Sequence, residues 1–318
     1  MPAPVTFHDY KPRHLNLCEA VVHGLSQPCK VIPPKFFYDE RGSQLFDAIC
    51  AQPEYYLPDA EQHLLQTCVD DIVASTGQGR VIIEPGAGSM VKIRLLLEQL
   101  QPCAYVPMDI SCEYLQWAAQ DLSNAIPWLH IHAACVDFTH SMPIPELVPD
   151  NKRLAFFPGS SLGNFHRHEA REFLCMLRNT VGDDGMLLIG VDTKKPAHIL
   201  DAAYNDAAGV TAEFNLNLLQ RICRELEAEC DPDAFSHHAF YNAEQSRIEM
   251  HLVSQCEQEV RVNGHRFHFA SGETVHTECS YKYSPAEFLA LAAETGFTPV
   301  NTWLADGDLF GVYLLAAT

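Results

Sequence analysis

The sequence predicts an α/β protein in which a mostly parallel sheet is flanked by helices and interrupted by a smaller α+β region. The first observation is an apolar segment at 81–83 that is followed by a glycine-containing turn at 84–92 and a helical pattern at 93–97. The second is that apolar segments of strand length alternate with helical patterns as far as residue 192. The third is that this pattern stops there and returns near residue 284. Alternating strands and helices favour a parallel sheet with helices on both faces.

The glycine-containing turn carries an acidic-x-Gly-x-Gly pattern formed by Glu84, Gly86 and Gly88. A strand, such a turn and a helix present backbone N–H groups to a nucleotide-like ligand at the carboxyl end of a sheet. A dinucleotide fingerprint requires a third glycine where Val91 lies, so NAD-dependent hydride transfer fits poorly. The pattern instead resembles motif I of the S-adenosylmethionine (SAM) methyltransferases, and Lys92 follows it closely. Taken alone, a strand-to-helix turn without a ligand is an equally good interpretation.

The next strand end supports a SAM site. Residues 104–108 have the composition of a strand, and they lead to Asp109, which lies 21 residues after Gly88. A carboxylate at this position accepts hydrogen bonds from ribose hydroxyls in nucleotide-binding folds. Ser111 follows as the expected N-cap of the next helix.

A third strand end adds two more candidate residues. The predicted strand 129–133 leads to Asp137 and Phe138, where such folds contact adenine with one polar and one aromatic side chain. A loop carboxylate without a ligand is the better interpretation of Asp137 by itself. Three signals at consecutive strand ends nevertheless favour SAM as the cofactor and S-adenosylhomocysteine as its product. The predicted cofactor-binding residues are Gly86, Gly88, Lys92, Asp109, Asp137 and Phe138.

The remaining elements complete a seven-strand, Rossmann-like sheet of the SAM-methyltransferase type. The further predicted strands are 153–157, 185–192, 298–304 and 310–315, and the predicted helices are 112–124, 166–179 and 284–295. Residues 193–283 therefore form an insertion. Within it, Asn263-Gly264 is a strong hairpin signal, because these residues supply the two positive φ angles of a type I′ turn. Apolar alternation around Met250 predicts a strand before that hairpin.

Two domains follow from this organisation. We expect residues 61–192 and 284–318 to form the SAM-binding domain. Residues 1–60 and 193–283 are expected to form an α+β lid domain that binds the substrate. The acceptor is expected between the two, because ligand pockets commonly lie at domain boundaries.

Composition and charge restrict the class of protein. The chain has 318 residues with 47% hydrophobic content, enough for one large core or two ordinary ones. Its 21 basic and 41 acidic residues give a formal net charge of −20, which disfavours nucleic acid and favours a small-molecule acceptor. The sequence has no uncharged apolar run of about 18 residues and no signal-like N-terminal pattern. We therefore expect a cytoplasmic protein without a membrane partner, and a monomer.

Neither the cysteines nor the histidines indicate a metal site. The 12 cysteines lack a Cys-x-x-Cys pair, and those in apolar surroundings, such as Cys50, Cys175 and Cys223, are interpreted as buried free thiols. The tightest groups among the 16 histidines lie at 166–168, 237–238 and 265–268. None has the i, i+4 helical pairing with a nearby carboxylate that a catalytic zinc site uses. Surface or capping histidines are the preferred interpretation, and no metal is predicted.

Five longer motifs carry a family resemblance. They are Phe-Phe-Tyr-Asp-Glu-Arg-Gly-Ser-Gln-Leu-Phe-Asp at 36–47, Pro-Glu-Tyr-Tyr at 53–56, Phe-Pro-Gly-Ser-Ser-Leu-Gly-Asn at 157–164, Tyr-Asn-Asp-Ala-Ala-Gly-Val-Thr at 204–211, and 241–251, which ends in Arg-Ile-Glu-Met-His. With them, the chain resembles the histidine Nα-methyltransferases of ergothioneine biosynthesis over nearly its whole length. The resemblance implies that three SAM molecules trimethylate the α-amine of L-histidine to hercynine, through methylated intermediates. Pro85, where motif I is expected to have leucine or a similar residue, marks a divergent branch.

The resemblance also implies which residues bind the acceptor. Tyr38 and Tyr55 would face the amine and the carboxylate. Asn164 would bond the α-amino group, and Tyr204 would hold the carboxylate. Tyr38 and Asn164 are thereby the predicted catalytic residues. Tyrosine rings and hydroxyls suit a nitrogen that becomes quaternary, although the tyrosines could equally be core aromatics and Asn164 the N-cap of the next helix.

Glu278 and Ser280 are expected, from the same resemblance, to bind the two imidazole nitrogens. Residues two apart in a strand share one face, and a carboxylate beside a hydroxyl can bond both nitrogens, which a single acceptor cannot do. Leucine-like acceptors would leave these groups unpaired and would be rejected. From the residues alone, a solvated strand face with Glu278 paired to Lys282 is the better interpretation. The resemblance reverses that preference.

The sequence therefore predicts a SAM-dependent N-methyltransferase for the α-amine of L-histidine, which acts mainly by aligning the amine with the sulfonium methyl. Two alternatives stay open. One is methylation of another aromatic amino acid or derivative, against which the pair Glu278 and Ser280 counts. The other is a catalytically silent SAM-binding regulatory or scaffold subunit, against which the glycine turn, Asp109 and the acceptor tyrosines count.

Overall fold

The computed structural model describes residues 5–10 and 17–318. They form two compact units. The first unit comprises residues 5–10, Leu57–Lys194 and Tyr283–Thr318, and the second comprises residues 17–56 and Lys195–Lys282. Within these described ranges, no helix combines the length and the apolar character needed to span a bilayer.

The strands are, in chain order, β1 (Val5–Asp9), β2 (Lys30–Val31), β3 (Val81–Pro85), β4 (Ala104–Asp109), β5 (Ile131–Cys135), β6 (Arg153–Phe157), β7 (Met186–Asp192), β8 (Phe235–Asn242), β9 (Arg247–Ser254), β10 (Gln258–Val262), β11 (His265–Phe269), β12 (Thr274–Tyr281), β13 (Phe297–Leu304) and β14 (Phe310–Ala317). The α-helices are α1 (Leu17–Leu25), α2 (Glu40–Cys50), α3 (Leu57–Thr76), α4 (Val91–Leu100), α5 (Cys112–Ala125), α6 (Arg167–Val181), α7 (Ala197–Ala203), α8 (Val210–Glu225) and α9 (Pro285–Glu294).

The first unit contains an eight-stranded sheet in the order β1-β5-β4-β3-β6-β7-β14-β13. In this spatial order, every neighbouring pair between β1 at the edge and β7 is parallel. β14 is antiparallel to both of its neighbours, β7 and β13. The central strands β3 and β7 are buried along their whole length, as expected for parallel strands covered on both faces. Their carboxyl ends meet at one edge of the sheet, which is where parallel α/β sheets bind ligands.

Within residues 5–10 and 17–318 this sheet has eight strands, the seven predicted from the sequence and one more. The additional strand, β1, pairs in parallel with β5 at the edge of the sheet. Its partner is more than 120 residues away in the sequence, so no local pattern could reveal this pairing. Residues 5–10 accordingly belong to the first unit, whereas the sequence placed all of residues 1–60 in the second domain. The strand predicted at 129–133 begins later, at Ile131.

The second unit contains a four-stranded sheet in the order β2-β12-β9-β8 and a separate β10–β11 hairpin. The predicted hairpin turn is confirmed, because Asn263 and Gly264 have φ angles of 47° and 80°. The predicted strand around Met250 is also confirmed as β9. One core packs the sheet against helices α1, α2, α7 and α8.

The interpretation as buried free thiols is wrong for Cys223 and Cys175, and Cys50 is free but only half-buried. Cys223 is disulfide-bonded to Cys230, and Cys112 is bonded to Cys135. Cys175 is free but exposed on α6. Composition does not show on which side of an amphipathic helix a small residue lies, or how far apart two sulfurs are. Both depend on the packing of the fold.

Candidate active site

The glycine turn that follows β3 has a backbone that requires glycine. Gly86 and Gly88 have φ angles of 70° and 49°, in the left-handed region. A Cβ added at Gly86 would lie 3.3 Å from the ring of Phe138. The N–H groups of Gly86 and Ala87 donate to the carbonyl of Met108, which ties the turn to β4. The structure thus brings Phe138 next to the turn, as a shared adenosine-binding region requires.

Asp109 lies at the end of β4 beside this turn. One of its carboxylate oxygens accepts from the backbone N–H of Gly88 at 3.1 Å, and the other accepts from the N–H of Ser111 at 3.0 Å. Burial raises the pKa of Asp109, while these backbone donors act in the opposite direction. The predicted ribose acid and the predicted glycine turn are therefore in direct contact.

Glu84, the acidic residue of the motif, has a structural partner. It is buried, and Tyr105 on β4 donates its hydroxyl proton to the Glu84 carboxylate. Burial raises the pKa of Glu84 to about 8. Its bond to Tyr105 joins β3 to β4, so Glu84 contributes to strand packing.

Glu61 was missed by the sequence analysis. It lies on the buried face of α3 and forms an ion pair with Lys92. Both of its carboxylate oxygens lie 2.9 Å from the backbone nitrogen of Gly159, and a Cβ at Gly190 would overlap the carboxylate. The sequence signal that could have revealed Glu61 is a glutamate at a position where an amphipathic helix usually has an apolar residue. Lys92, predicted as a cofactor ligand, is thus held next to two strand ends.

Asp137 and Asn164 occupy the neighbouring loops of the first unit. The Asp137 carboxylate accepts from the N–H of Thr139 at 3.1 Å and lies 3.2 Å from the His140 imidazole. Asn164 is the last residue of a 3-10 turn that begins at Ser161. The N-cap residue of α6 is His166, so the capping interpretation of Asn164 is wrong.

A small pocket lies within the second unit; the space between its lining atoms, open solvent included, is about 270 Å³. Its lining combines aromatic and aliphatic side chains with a few polar ones, which is the usual character of small-molecule sites. The lining residues are Phe46, Ile49, Tyr55, Ala203, Tyr204, Thr211, Phe214, Met250 and Glu278. Three of the predicted acceptor residues, Tyr55, Tyr204 and Glu278, are therefore in one pocket.

A buried polar network borders this pocket. The hydroxyl of Tyr204 donates to Ser280 Oγ at 3.0 Å. Lys282 Nζ donates to the Tyr204 hydroxyl at 3.1 Å and to Ser280 Oγ at 3.0 Å, and its side chain is fully buried. Burial raises the pKa of Glu278 to about 7, and the charge of Lys282 opposes that rise. The sequence analysis treated Lys282 only as a surface partner of Glu278, because a lysine in a strand is usually solvated.

Glu278 and Ser280 share one face of β12, as predicted. They pair with Met250 and Ile248 on β9, both of which are buried. A register shift between His276 and Glu278 precedes this stretch. The shift sets which side chains of β12 face the core.

The two predicted amine-facing tyrosines have different surroundings. The Tyr55 ring contacts the Tyr204 ring edge to face at 6.0 Å, and burial raises its pKa well above the usual value. Tyr38 is not among the lining residues described for the pocket. It packs edge to face against Phe46 and Phe214, which do line it.

The first long motif, residues 36–47, contains the residues that begin helix α2. Asp39 is the N-cap and accepts from the N–H of Gly42 at 2.7 Å, and Asn217 and Arg224 donate to the same carboxylate. A Cβ at Gly42 would lie 1.7 Å from the carbonyl oxygen of Phe37, so only glycine fits. The motif therefore fixes the entry to α2, which carries Phe46 into the pocket.

The motif at 204–211 fixes Tyr204 in a similar way. The Asp206 carboxylate accepts from the N–H groups of Val210 and Thr211, both at 2.8 Å, and so caps α8. These donors hold the pKa of Asp206 below its usual value although burial opposes them. His237 Nε2 donates to the Tyr204 carbonyl at 3.0 Å. The backbone on both sides of Tyr204 is thus restrained.

Comparison with known proteins decides the family. The model of a family described as histidine-specific methyltransferase, SAM-dependent, matches residues 17–317. The chain belongs to this family. Histidine N-alpha-methyltransferases of Mycolicibacterium smegmatis and Mycobacterium tuberculosis are 38% and 37% identical to it, over 92% and 95% of both chains. A 4-dimethylallyltryptophan N-methyltransferase of Aspergillus fumigatus is 24% identical over 91% of this chain and 90% of its own length.

The first unit of this histidine-specific methyltransferase fits the cofactor that the family uses. The glycine turn has positive φ angles, and the absence of a Cβ at Gly86 leaves room between the turn and the Phe138 ring that any other residue would fill. The Asp109 carboxylate still has lone pairs for ribose hydroxyls after accepting from Gly88 and Ser111. SAM is the cofactor of this family member.

Proposed function

We propose that the chain transfers the methyl group of SAM to the α-amine of L-histidine and repeats the reaction until hercynine is formed, as in ergothioneine biosynthesis. The observation that carries this proposal is that Glu278 and Tyr204 line one pocket, and that Ser280 and Lys282 are hydrogen-bonded to the Tyr204 hydroxyl. An acid and a hydroxyl suit the two imidazole nitrogens, and a cation with a phenol suits a carboxylate.

The imidazole would bind between Glu278 and Ser280. Without a ligand, burial favours the neutral form of Glu278, whose pKa is raised to about 7. An imidazole N–H placed against the carboxylate would favour its charged form and compensate for part of the burial cost. A phenyl or aliphatic side chain offers no such donor, so the site selects a ring with two nitrogens.

The carboxylate would bind near Lys282 and Tyr204. Lys282 is a fully buried cation with a tyrosine ring and two hydroxyls around it. An ammonium and a phenol hydroxyl that lie side by side can both donate to the oxygens of a substrate carboxylate. This contact would fix the amino-acid end of the substrate whatever its side chain.

The amine would be positioned by Tyr55, Tyr38 and Asn164. Tyrosine ring faces stabilise a nitrogen that carries a positive charge after each transfer. An asparagine side-chain oxygen can accept from the N–H groups of the amine and direct its lone pair. The attacking amine has to be neutral. These residues contribute by aligning it with the methyl group, and not through a covalent intermediate.

The first unit would hold SAM with Gly86, Gly88, Asp109 and Phe138, and with Lys92 and Asp137 at the neighbouring strand ends. When bound, SAM supplies an electrophilic methyl group on a sulfonium. Both ligands are metabolites of the cell interior, so a cytoplasmic location fits this function.

The experiment is incubation of the purified protein with SAM and each of the twenty amino acids in turn, followed by mass spectrometry. We expect mono-, di- and trimethylated histidine, with every other amino acid at least about 100-fold less reactive. Methylation of several amino acids at similar rates would contradict the acceptor assignment. No methylated product at all would support the silent-subunit alternative.

A second candidate acceptor is an indole-containing amino acid. The name of the Aspergillus fumigatus relative and the aromatic pocket residues Phe46 and Phe214 favour this class. Tryptophan and 4-dimethylallyltryptophan, tested in the same assay, separate it from histidine. A kcat/KM for either that exceeds the value for histidine would select this candidate.

A further inference from the structure

Three strands of the second unit place histidines next to one another. His251 on β9 pairs directly with His276 on β12 and with His238 on β8. The His251 and His276 rings lie 4.9 Å apart between centroids, with an angle of 28° between their planes. No sequence spacing shows this cluster, because its members lie on separate strands.

Glu249 completes a set of potential metal ligands. It lies two residues before His251 on the same face of β9, and its Oε2 is 3.1 Å from His251 Nε2. One ligand atom from each of Glu249, His251 and His276 lies within 4.8 Å of the other two. A common ion could be reached by all three through small side-chain rotations.

The groups around the cluster orient these ligands. Asn242 and Arg247 donate to Glu249 Oε1, each at 2.9 Å, which leaves Oε2 directed towards His251. His276 Nε2 lies 2.9 Å from the backbone carbonyl of Glu278, so this nitrogen carries the proton and Nδ1 has a free lone pair. A metal-binding histidine commonly donates its other N–H to a backbone carbonyl in this way.

The two ring nitrogens of His251 have different surroundings. Nδ1 is buried and has no hydrogen-bond partner within the described ranges. Nε2 faces the Glu249 carboxylate, so an ion shared with Glu249 would bind at Nε2 and the ring proton would lie on Nδ1.

We propose that Glu249, His251 and His276 bind one divalent transition-metal ion, with zinc as the best match. Two imidazoles and one carboxylate form a ligand set that suits zinc, whereas magnesium and calcium prefer oxygen ligands alone. Because side chains alternate along β9, these ligands lie on the face opposite Met250, which lines the pocket. The ion therefore has a structural role: it links β9 to β12, the strand that carries Glu278 and Ser280.

The test begins with wild-type protein that has been freed of metal by a chelator. Zinc is titrated against a chromophoric competitor, and bound metal is counted by mass spectrometry. We expect one zinc per chain, and at least tenfold weaker binding after His251→Asn or His276→Asn. The controls are His238→Asn and His268→Asn. His238 pairs with His251 across β8 and β9 but is outside the ligand set, and His268 lies on the exposed face of β11. Both controls should bind zinc as the wild type does.

The identity of the ligands is measured on the wild-type protein, so the test does not depend on the folding of a variant. X-ray absorption at the zinc edge should show nitrogen and oxygen neighbours with the scattering pattern of imidazole. Eight cysteines are free and could bind zinc instead. Sulfur neighbours, the absence of stoichiometric binding, or unchanged affinity in a folded His251→Asn/His276→Asn variant would each overturn the proposal.

Discussion

The two units fix their key carboxylates by different means. In the first unit, Asp109 accepts from the backbone N–H groups of Gly88 and Ser111, both part of the strand-turn-helix pattern around it. In the second unit, Glu278 lies beside a buried lysine, and the network of Tyr204, Ser280 and Lys282 joins side chains up to 78 residues apart. A site built from backbone donors can be recognised from local spacing. A site built from distant side chains can be recognised only from the fold.

The largest expected effect concerns the second unit. Glu278→Ala combined with Ser280→Ala should lower kcat/KM for histidine at least about 1,000-fold, because the imidazole loses both of its partners. SAM affinity should stay within about twofold of wild type, because the backbone-held site of the first unit is untouched. Steady-state kinetics and calorimetry measure the two quantities separately.

The matched control is Glu244→Gln, a change of an exposed glutamate in the β8–β9 turn of the same unit. It should leave both quantities unchanged. Equal losses of histidine turnover and SAM affinity in the double variant would remove the distinction between the two units.

The second effect concerns the first unit. Asp109→Ala should weaken SAM and S-adenosylhomocysteine alike by about 10- to 150-fold, equivalent to about 1.5–3 kcal/mol for lost charge-assisted hydrogen bonds. Calorimetry on the folded variant gives both affinities, with the exposed Asp150→Ala as control. Unchanged affinity for both ligands would show that Asp109 only braces the glycine turn.

The same difference explains what the sequence could predict. The glycine turn, Asp109 and the alternation of strands and helices come from local patterns. The structure confirms the turn and the sheet type, and it shows in addition that Asp109 contacts the turn. β1 escaped prediction because its pairing partner is remote. Lys282 and Glu61 escaped because burial of a charged side chain is decided by what packs over it. The residues of the acceptor pocket were predicted only through the family resemblance, since they come from four separate segments of the chain.

A third prediction uses the burial of Glu278. Its pKa of about 7 in the folded protein exceeds the ordinary 4.5, so the folded state retains a proton that the unfolded state loses between these values. The free energy of unfolding should therefore fall as pH rises from about 4.5 to 7. Glu278→Gln removes this dependence and should gain roughly 3 kcal/mol relative to wild type between pH 4 and pH 8, at about 1.36 kcal/mol per pKa unit.

Chemical denaturation without histidine, repeated across this pH range, measures the third prediction. Glu244→Gln should follow the wild-type curve. A difference between Glu278→Gln and wild type that is independent of pH would mean that Glu278 keeps an ordinary pKa in the folded protein.

The smallest effect is expected for Asp137. Its carboxylate already accepts from Thr139 in its own turn, so only part of its hydrogen-bonding capacity is left for adenine. Asp137→Ala should weaken SAM binding about fivefold, near 1 kcal/mol. Calorimetry on Asp137→Ala and Asp109→Ala shows which of the two carboxylates contributes more to SAM affinity. A larger loss for Asp137→Ala than for Asp109→Ala would reverse their assigned importance.

The most direct test of the central claim is the preference for histidine over phenylalanine, measured as the ratio of their kcat/KM values in the wild type and in the Glu278→Ala/Ser280→Ala variant. If these two side chains read the imidazole ring, the wild-type ratio should exceed about 1,000, and in the variant it should fall below about 10. A variant that keeps the wild-type preference would contradict the account, because the ring would then be recognised by other residues.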